Sequence, residues 1–450
     1  MKNILFISIL FFSTPIKSQQ WRSVNDGINR QSGQSVNDML VYQDTLFIIG
    51  QFDSLYNPGQ YCSGFSGWDS SQWNCKSPSL SISQGGLCIG LYQTEIYVGG
   101  DFNWVWQPSL NGIGRYDGAE FQPLGRGINN GMVHCMQEYN GSLYVGGNFT
   151  TVDSILNARR IARWDGIQWH TIGTGMSGGL TNLFAMTIYK GELYIGGYFS
   201  SIDGFPSQNI CRYNGIAWDS VKSGVSGFIR SMVVDSVNDI LYVGGSISSA
   251  GGIPTPTGVA AWDGTNWSAV GTAPLLNPEV MVLYKGKLFA GGALSFPNAF
   301  GDMVYQMAWY DGQEWYPVCD TMDGGVIQSM CVYKDELYVG GFFKMIDDSA
   351  RYGIARTHFP NVSVQQLSNT ETAVELYPNP TGSILTIKIK DTKLKLQSVQ
   401  LSDLNGTRLI SLDKLIESLV TLDLQSIASG VYIVVVKTER GTSQYKILKE

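Results

Sequence analysis

The sequence predicts an all-β protein made of one four-stranded unit repeated along most of the chain, followed by a second, smaller β domain. Three observations predict it. First, the strand-like stretch "LYVGGNF" at 143–149 returns as "IYVGGDF", "LYIGGYF", "LYVGGSI", "LFAGGAL" and "LYVGGFF", with a worn copy "LFIIGQF" at 46–52. Second, the last glycine of each copy falls at 50, 100, 147, 197, 245, 292 and 341, and an aromatic series runs in phase with it: Trp21, Trp73, Phe121, Trp169, Trp218, Trp267 and Trp315. Two markers sharing a period of 47–52 residues define a repeat. Third, short runs rich in Val, Ile, Tyr and Trp alternate with Gly and Asp, and nothing long enough for a helix intervenes.

Within 133–172 four strand signals follow in order, "VHCMQEY", "LYVGGNF", "RIARWDG" and "WHTI", denoted a, b, c and d. Strands a and b join through a tight "YNG" or "YKG" turn. Strands c and d join through Asp165-Gly166, repeated as Asp117-Gly118, Asn214-Gly215, Asp263-Gly264 and Asp311-Gly312, a hairpin signal in which both central residues are expected at positive φ. Seven such units predict a seven-bladed β-propeller over 19–359. The last unit stops at strand c, "GIARTHF", while the N-terminal "WRSVNDGI" matches "WHTIGTGM". The mature N-terminus is therefore expected to supply strand d of unit 7 and close the ring, removing the sheet edges a broken circle would expose. Glycine inside a strand costs about 0.5–1 kcal/mol relative to Ala, so the doublets imply a close approach by a neighbouring backbone or side chain in every unit. The recurrent Met39, Ile89, Met136, Met186, Met232, Met281 and Met330 of strand a read as packing between units rather than soft metal ligands.

The glycine doublet, the aromatic-Asp of strand c and the Trp of strand d resemble kelch-repeat propellers, and more closely the GGxF…WDGxxW propellers of secreted bacterial surface proteins, over residues 20–359. The resemblance implies a fold and no activity, since such scaffolds host oxidases, lyases and binding proteins alike.

The two ends of the chain carry a destination. Residues 1–18 show Lys2, an apolar run at 4–12 and a small and polar stretch ending at Ser18, the pattern of a secretory signal peptide. That apolar run is far shorter than the roughly 20 residues of a membrane span. A polar linker at 360–372 precedes a composition change: 373–450 carries ten Lys or Arg against eight Asp or Glu, leaving 19–372 at a net charge of −11. Alternating strands with Pro-Asn-Pro, Asn-Gly and Ser-Gly turns predict a small β-sandwich here. Tyr377-Pro378-Asn379-Pro380, Asp403-Leu404-Asn405-Gly406, Ser429-Gly430-Val431-Tyr432 and Lys446-Ile447-Leu448-Lys449 resemble the C-terminal sorting domain of the type IX secretion pathway. That resemblance implies handling by the type IX machinery and a secreted or surface-attached protein, with Tyr377, Pro378, Asn379, Pro380, Gly430 and Tyr432 as sorting-motif residues.

Acidic residues exceed basic ones, 37 to 30, and basic runs with interleaved aromatics are absent, which argues against nucleic acid as a partner. The stretch "GTGMSGG" at 173–179 spells both G-x-G-x-x-G and G-x-S-x-G, but each pattern needs a following helix and here a strand follows. Three dispersed histidines, His134, His170 and His358, supply no H-E-x-x-H, and no calcium loop is present. No metal, cofactor or catalytic residue is therefore expected.

Function is sought on the face carrying the long b–c and d–a loops. Trp104 and Trp106 interrupt the repeat pattern in unit 2 and either stack on a sugar or peptide or cap the neighbouring interface. The lead position of strand a varies from unit to unit as Asn37, Leu87, His134, Phe184, Arg230, Glu279 and Gln328, a ring at the channel mouth that either binds a ligand or holds water. Trp104, Trp106, His134, Arg230 and Glu279 are thus the candidate contacts for a glycan or surface protein. The alternative is a propeller-based glycan lyase or hydrolase using Glu279 with Arg230. Seven cysteines cannot all pair internally. Cys88, Cys135 and Cys331 read as small buried hydrophobes, whereas Cys62 and Cys75 are expected to form a disulfide across the c–d hairpin of unit 1, a turn centred on Asp69-Ser70 leaving them diagonal neighbours that a bulge brings into range.

Overall fold

The computed structural model describes residues 21–359 and 374–449, except 26, 29–33, 56–61, 76–84, 103–109, 157, 179–180, 273–277, 298–302, 320–321, 323–324, 348, 380, 390–394, 403–407, 414, 416 and 439–440. Residues 1–18, expected to be a signal peptide, 360–372, expected to be a linker, and Trp104, Trp106 and Pro380 lie outside the described residues. The chain divides into two compact bodies, Met1–Phe359 and Pro360–Glu450. Among the described residues there is no helix.

Among the described residues the larger body holds seven antiparallel sheets whose main strands lie in the order a-b-c-d, with smaller sheets formed by its loops. In unit 3 these are Val133–Tyr139, Ser142–Gly147, Ile161–Trp164 and Trp169–Thr171. In unit 7 strand d comes from the other end of the chain: Arg22–Ser23 pairs antiparallel with Ile354–Thr357 through Arg22↔Arg356 and Ser23↔Ala355. Strand a of each unit lies against strand a of the next, and that of unit 7 against that of unit 1, so the sheets form a closed ring.

The glycine doublet answers to two different neighbours. A Cβ on the second glycine would strike the backbone of its own strand a, as at Gly147, where the Met132 carbonyl oxygen would lie 1.9 Å away. A Cβ on the first would strike the next unit, as at Gly146, 2.5 Å from Leu183 Cδ2 and 2.7 Å from Met186 Cε. In units 3, 4, 6 and 7 the recurrent methionine and a β-branched or Leu companion thus fill the space over the first glycine, one unit onward; Pro278 takes the companion's place over Gly244, and Val133 covers Gly99. Unit 1 inverts the arrangement: Ile49 occupies the first glycine position, and the residue opposite it in unit 2 is Gly86, whose Cβ would lie 2.4 Å from Ile49 Cγ1.

Polar groups bind the units to one another as regularly. The strand a tyrosine donates its hydroxyl to a carbonyl in the a–b turn of the next unit: Tyr42 to Thr94 at 2.6 Å, Tyr92 to Gly141 at 3.0 Å, Tyr189 to Asp239 at 2.7 Å and Tyr284 to Asp335 at 2.7 Å. Tyr333 completes the circle, donating to the Asp44 carbonyl of unit 1 at 2.8 Å. The strand d indoles reach the preceding unit, Trp73 to the Val24 carbonyl at 3.1 Å and Trp169 to that of Leu124 at 3.0 Å. The indole bonds satisfy buried donors that apolar packing alone would leave unpaired.

The turns differ in one respect from the sequence expectation. Paired positive φ occurs at the a–b turns, as at Asn140 (47°) and Gly141 (72°). The c–d turns span four residues, Asp165 N donating to Gln168 O, and Gly166 alone of the dipeptide is at positive φ. Asp165 Oδ1 accepts the amides of Ile167 and Gln168, each at 2.8 Å, so the carboxylate rather than a left-handed backbone makes the turn.

The same geometry moves the unit 1 hairpin. Asp69 Oδ1 accepts Ser71 and Gln72 amides at 2.8 Å, and the register is Ser66↔Cys75 and Trp68↔Trp73, so the turn centres on Ser70-Ser71 rather than Asp69-Ser70. Cys62 lies in the chain entering strand c, its Cα 5.3 Å from that of Cys75, and a disulfide joins the two. Closing this short loop should contribute about 3 kcal/mol. Replacing both cysteines by Ser is expected to lower unfolding stability by that amount, and mass spectrometry finding both thiols free in the exported protein would contradict the pairing. Cys88, Cys135, Cys211 and Cys319 are buried and Cys331 partly so, all without a disulfide.

The smaller body has two antiparallel sheets around one core. Val374–Tyr377, Ile384–Ile389 and Leu419–Asp423 form the first. Arg408–Asp413, Leu396–Ser402, Gly430–Thr438 and Gly441–Lys449 form the second, in that order. Leu385 and Ile387 of the first share a buried cluster with Val399, Leu401, Val434 and Val436 of the second.

Candidate recognition site at the mouth of the ring

The face that carries the b–c and d–a loops is assembled by pairing them. The segment leading into strand a of unit 3, Ile128–Asn129, pairs with Thr151–Val152 of the b–c hairpin, and Met176–Ser177 pairs with Ser201–Ile202 in unit 4. The stretch 173–179 therefore leads into a strand, not a helix, and offers neither a phosphate cradle nor a nucleophile elbow.

Each strand a begins with a β-bulge. Val133 pairs with Gly147 and Cys135 with Gly146, leaving His134 without a partner in the ladder. The same register shift skips Asn37, Leu87, Phe184, Arg230, Glu279 and Gln328. The seven variable lead positions are thus the seven bulged residues. Bulges re-aim side chains and recur beside functional sites. The tight turn of the bulge brings the strand a carbonyl against the second glycine, so one local device explains both the invariant Gly and the variable neighbour.

Four consecutive bulge residues form a chain of contacts across units 3 to 6. His134 and Phe184 rings lie 5.1 Å apart, the Arg230 guanidinium carbon sits 4.2 Å from the Phe184 ring centroid, and Arg230 Nε lies 3.6 Å from Glu279 Oε2. Burial, and secondly the Arg230 charge, depress His134 so that its imidazole stays neutral down to about pH 4. Burial raises the Glu279 carboxyl, and Arg230 works against that rise. The arrangement offers one cation over an aromatic face, one carboxylate beside it and a neutral imidazole.

Below the mouth, the residue after the bulge couples strand a to the next unit in units 1, 5 and 7. Asp38 accepts the Ile89 amide at 2.9 Å, Ser231 accepts that of Met281 at 3.0 Å, and Ser329 donates to the Val36 carbonyl at 3.0 Å. Asp38 is the acidic member of this belt. Its enclosure by protein pushes the carboxyl up to about 6, against the pull of the Ile89 and Met39 amides. Because the folded form holds its proton more tightly than the unfolded chain, Asp38 costs stability progressively as pH rises from about 4 to 6, in total about 3 kcal/mol. Asp38→Asn is expected to remove this fall and raise stability at pH 7, as measured by denaturant titration at several pH values; an unchanged pH profile would refute the assignment.

Sequence reading did not find Tyr198 and Phe228. Tyr198 ends strand b of unit 4, Phe228 leads into the bulge of unit 5, and their rings stack at 4.3 Å and 19°, with 36% and 40% of each residue exposed. An aromatic two positions before Arg230 was visible, but its partner lies 30 residues away in the chain. Among the described residues no group of three or more His, Cys, Asp or Glu is placed to hold a metal ion, and no helix is long and apolar enough to cross a membrane.

In the smaller body the segment around Asn379, expected from the resemblance to carry part of a sorting motif, is tied to the last strand. Asn379 Oδ1 accepts the Leu448 amide at 2.9 Å, the Thr381 amide donates to the Leu448 carbonyl at 2.8 Å, and Tyr432 donates to Ala428 O at 2.8 Å. Tyr377 remains 44% exposed beside them.

Comparison with known proteins agrees with these two architectures. Residues 375–450 match a family described as a secretion system C-terminal sorting domain, and residues 191–215, strands b and c of unit 4, match a β-propeller domain of unknown function (DUF5122). The chain is therefore a propeller-bearing protein exported through type IX secretion, to the cell surface or beyond. No curated protein matches it. Among solved structures it is similar to the computationally designed protein Ika8, at 10% identity over 94% of this chain and 98% of that one, with a TM-score of 0.43. It is also similar to an α-L-arabinofuranosidase from Clostridium thermocellum, at 12% identity over 62% of this chain and 95% of that one, with a TM-score of 0.24.

Proposed function

We propose that the protein is an exported recognition protein whose seven units are the blades of a kelch-like propeller over 19–359, and whose loop-bearing face binds a glycan or a surface protein. In this reading residues 1–18 are a signal peptide, 360–372 a linker, and 373–450 a β-sandwich read by the translocon. The observation that carries it is the bulge ring: seven equivalent positions, freed from the ladder by identical geometry, hold seven different side chains, four of them in mutual contact. Packing explains the repeated residues of each unit; it does not require His134, Phe184, Arg230 and Glu279 to differ.

Glycan and surface-protein arrays probed with the full chain test this reading. Arg230→Ala is expected to weaken the ligand found by about 2 kcal/mol, roughly thirtyfold, while the melting temperature moves little. Replacing Trp104 and Trp106 together by Ala is expected to weaken it by about 2–4 kcal/mol. A large fall in thermal stability with unchanged binding would mark these side chains as structural. A lyase or hydrolase needs convergent acid and base groups, whereas Glu279 is the single carboxylate among the seven bulge residues. Recovery of a cleaved glycan in the same assay would establish the enzymatic reading instead.

A further inference from the structure

A cleft of about 370 Å³ opens beside the bulge ring, lined by Gly178, Tyr198, Phe199, Ser200, Gln208 and Asn209 of unit 4 and its lead-in. Its size lies at the lower end of ligand-binding clefts, roughly 300–1,000 Å³. We propose that this cleft is a binding subsite for a neutral sugar ring, with Tyr198 as its stacking platform. The inference rests on the recognition reading above and narrows it to uncharged oligosaccharide.

Three features of the wall specify that chemistry. The platform is an exposed aromatic held in place: Tyr198 lines the cleft, and Phe228, outside the lining, stacks on it at 4.3 Å and 19°. A ring fixed in this way loses little freedom when a pyranose lies against it, and the C–H face of a sugar suits the negative face of the aromatic. Secondly, the hydrogen-bonding groups on the wall are amides and hydroxyls. Asn209 is committed internally, its Oδ1 accepting the Phe199 amide at 2.8 Å and its Nδ2 donating to the Val225 carbonyl at 2.7 Å, so it stiffens the wall. Gln208 is exposed and gives one amide hydrogen to Ser226 Oγ at 3.2 Å, retaining its other hydrogen and its carbonyl oxygen for ligand hydroxyls. Ser200 donates to the Ser177 carbonyl at 3.3 Å and keeps its acceptor capacity. Thirdly, among the described lining residues none is acidic or basic. A cleft without a cation has nothing to offset the cost of desolvating a carboxylate or phosphate, so a neutral polyhydroxylated ring is favoured over a charged one. Gly178 lets the wall close on Ser200, since a Cβ there would lie 2.0 Å from Ser200 Oγ.

Isothermal titration of the full chain with neutral gluco-, manno-, galacto- and xylo-oligosaccharides, and in parallel with oligogalacturonate, tests the proposal. The expected result is that at least one neutral oligosaccharide binds, that Tyr198→Ala weakens it about tenfold or more, and that Tyr198→Phe restores it. Ile216→Ala, at a hairpin tip 90% exposed, is expected to bind as the parent does. Should Tyr198→Ala lower the melting temperature, Gln208→Ala, which alters an exposed side chain, serves as the second variant and is expected to weaken binding. Binding of oligogalacturonate alone, or of a neutral oligosaccharide with equal affinity to the parent and to both variants, overturns the cleft assignment while leaving recognition at the bulge ring intact. No binding of any oligosaccharide also overturns it, and the surface-protein array then decides the recognition reading separately.

Discussion

Removal of residues 19–25 is expected to abolish cooperative unfolding of the larger body. The segment supplies the strand that pairs with Ile354–Thr357, and its side chains are structural: Trp21 is 5% exposed and Val24 fully buried. Arg22 pairs with Glu336, which also binds Arg356 at 3.0 Å, and Arg351 donates to the Trp21 carbonyl at 2.7 Å. Loss of a buried Trp and Val alone removes about 5–8 kcal/mol, which is comparable to the whole stability of a typical domain. The shortened chain also leaves the edge of Ile354–Thr357 unpaired, a route to aggregation. Scanning calorimetry showing the truncated protein melting like the parent would disprove closure by the N-terminal strand.

Deletion of 373–450 is expected to leave the larger body folded and to block its export. The two bodies have separate cores, and the sorting-domain match lies wholly within the smaller one. Cell fractionation should find the truncated protein in the periplasm with the melting temperature of its larger body retained. Undiminished protein at the surface or in the medium would refute the dependence.

The repeat was readable because its causes are local: a glycine doublet, a Trp and an Asp-Gly recur at fixed offsets whatever surrounds them. That Gly146 yields to the next unit and Gly147 to its own strand is a matter of pairing, and pairing is absent from the order of residues. The bulge was hidden for the same reason. His134 reads as one more residue in an alternating strand, and only the register Val133↔Gly147, Cys135↔Gly146 shows it standing outside the ladder. The unit 1 turn was displaced by one position because an aspartate cap and a left-handed dipeptide leave nearly the same signature, Asp followed by small residues, yet close loops of different length. Tyr198 and Phe228 belong to different units and meet only once the ring has formed.

The exchange of bulk between Ile49 and Gly86 has a consequence for how such a chain can change. At the other interfaces a glycine faces a larger side chain of the next unit, as Gly146 faces Leu183 and Gly196 faces Ile229, so the bulk lies on the same side of each. Unit 2 cannot follow any unit but the first, for Gly86 set against Gly99 or Gly146 would leave a void, and unit 3 placed after unit 1 would drive Val133 into Ile49. The repeats are therefore not interchangeable tokens: one junction carries its own lock and key, and insertion, loss or reordering of units can proceed elsewhere in the ring while this pair travels together.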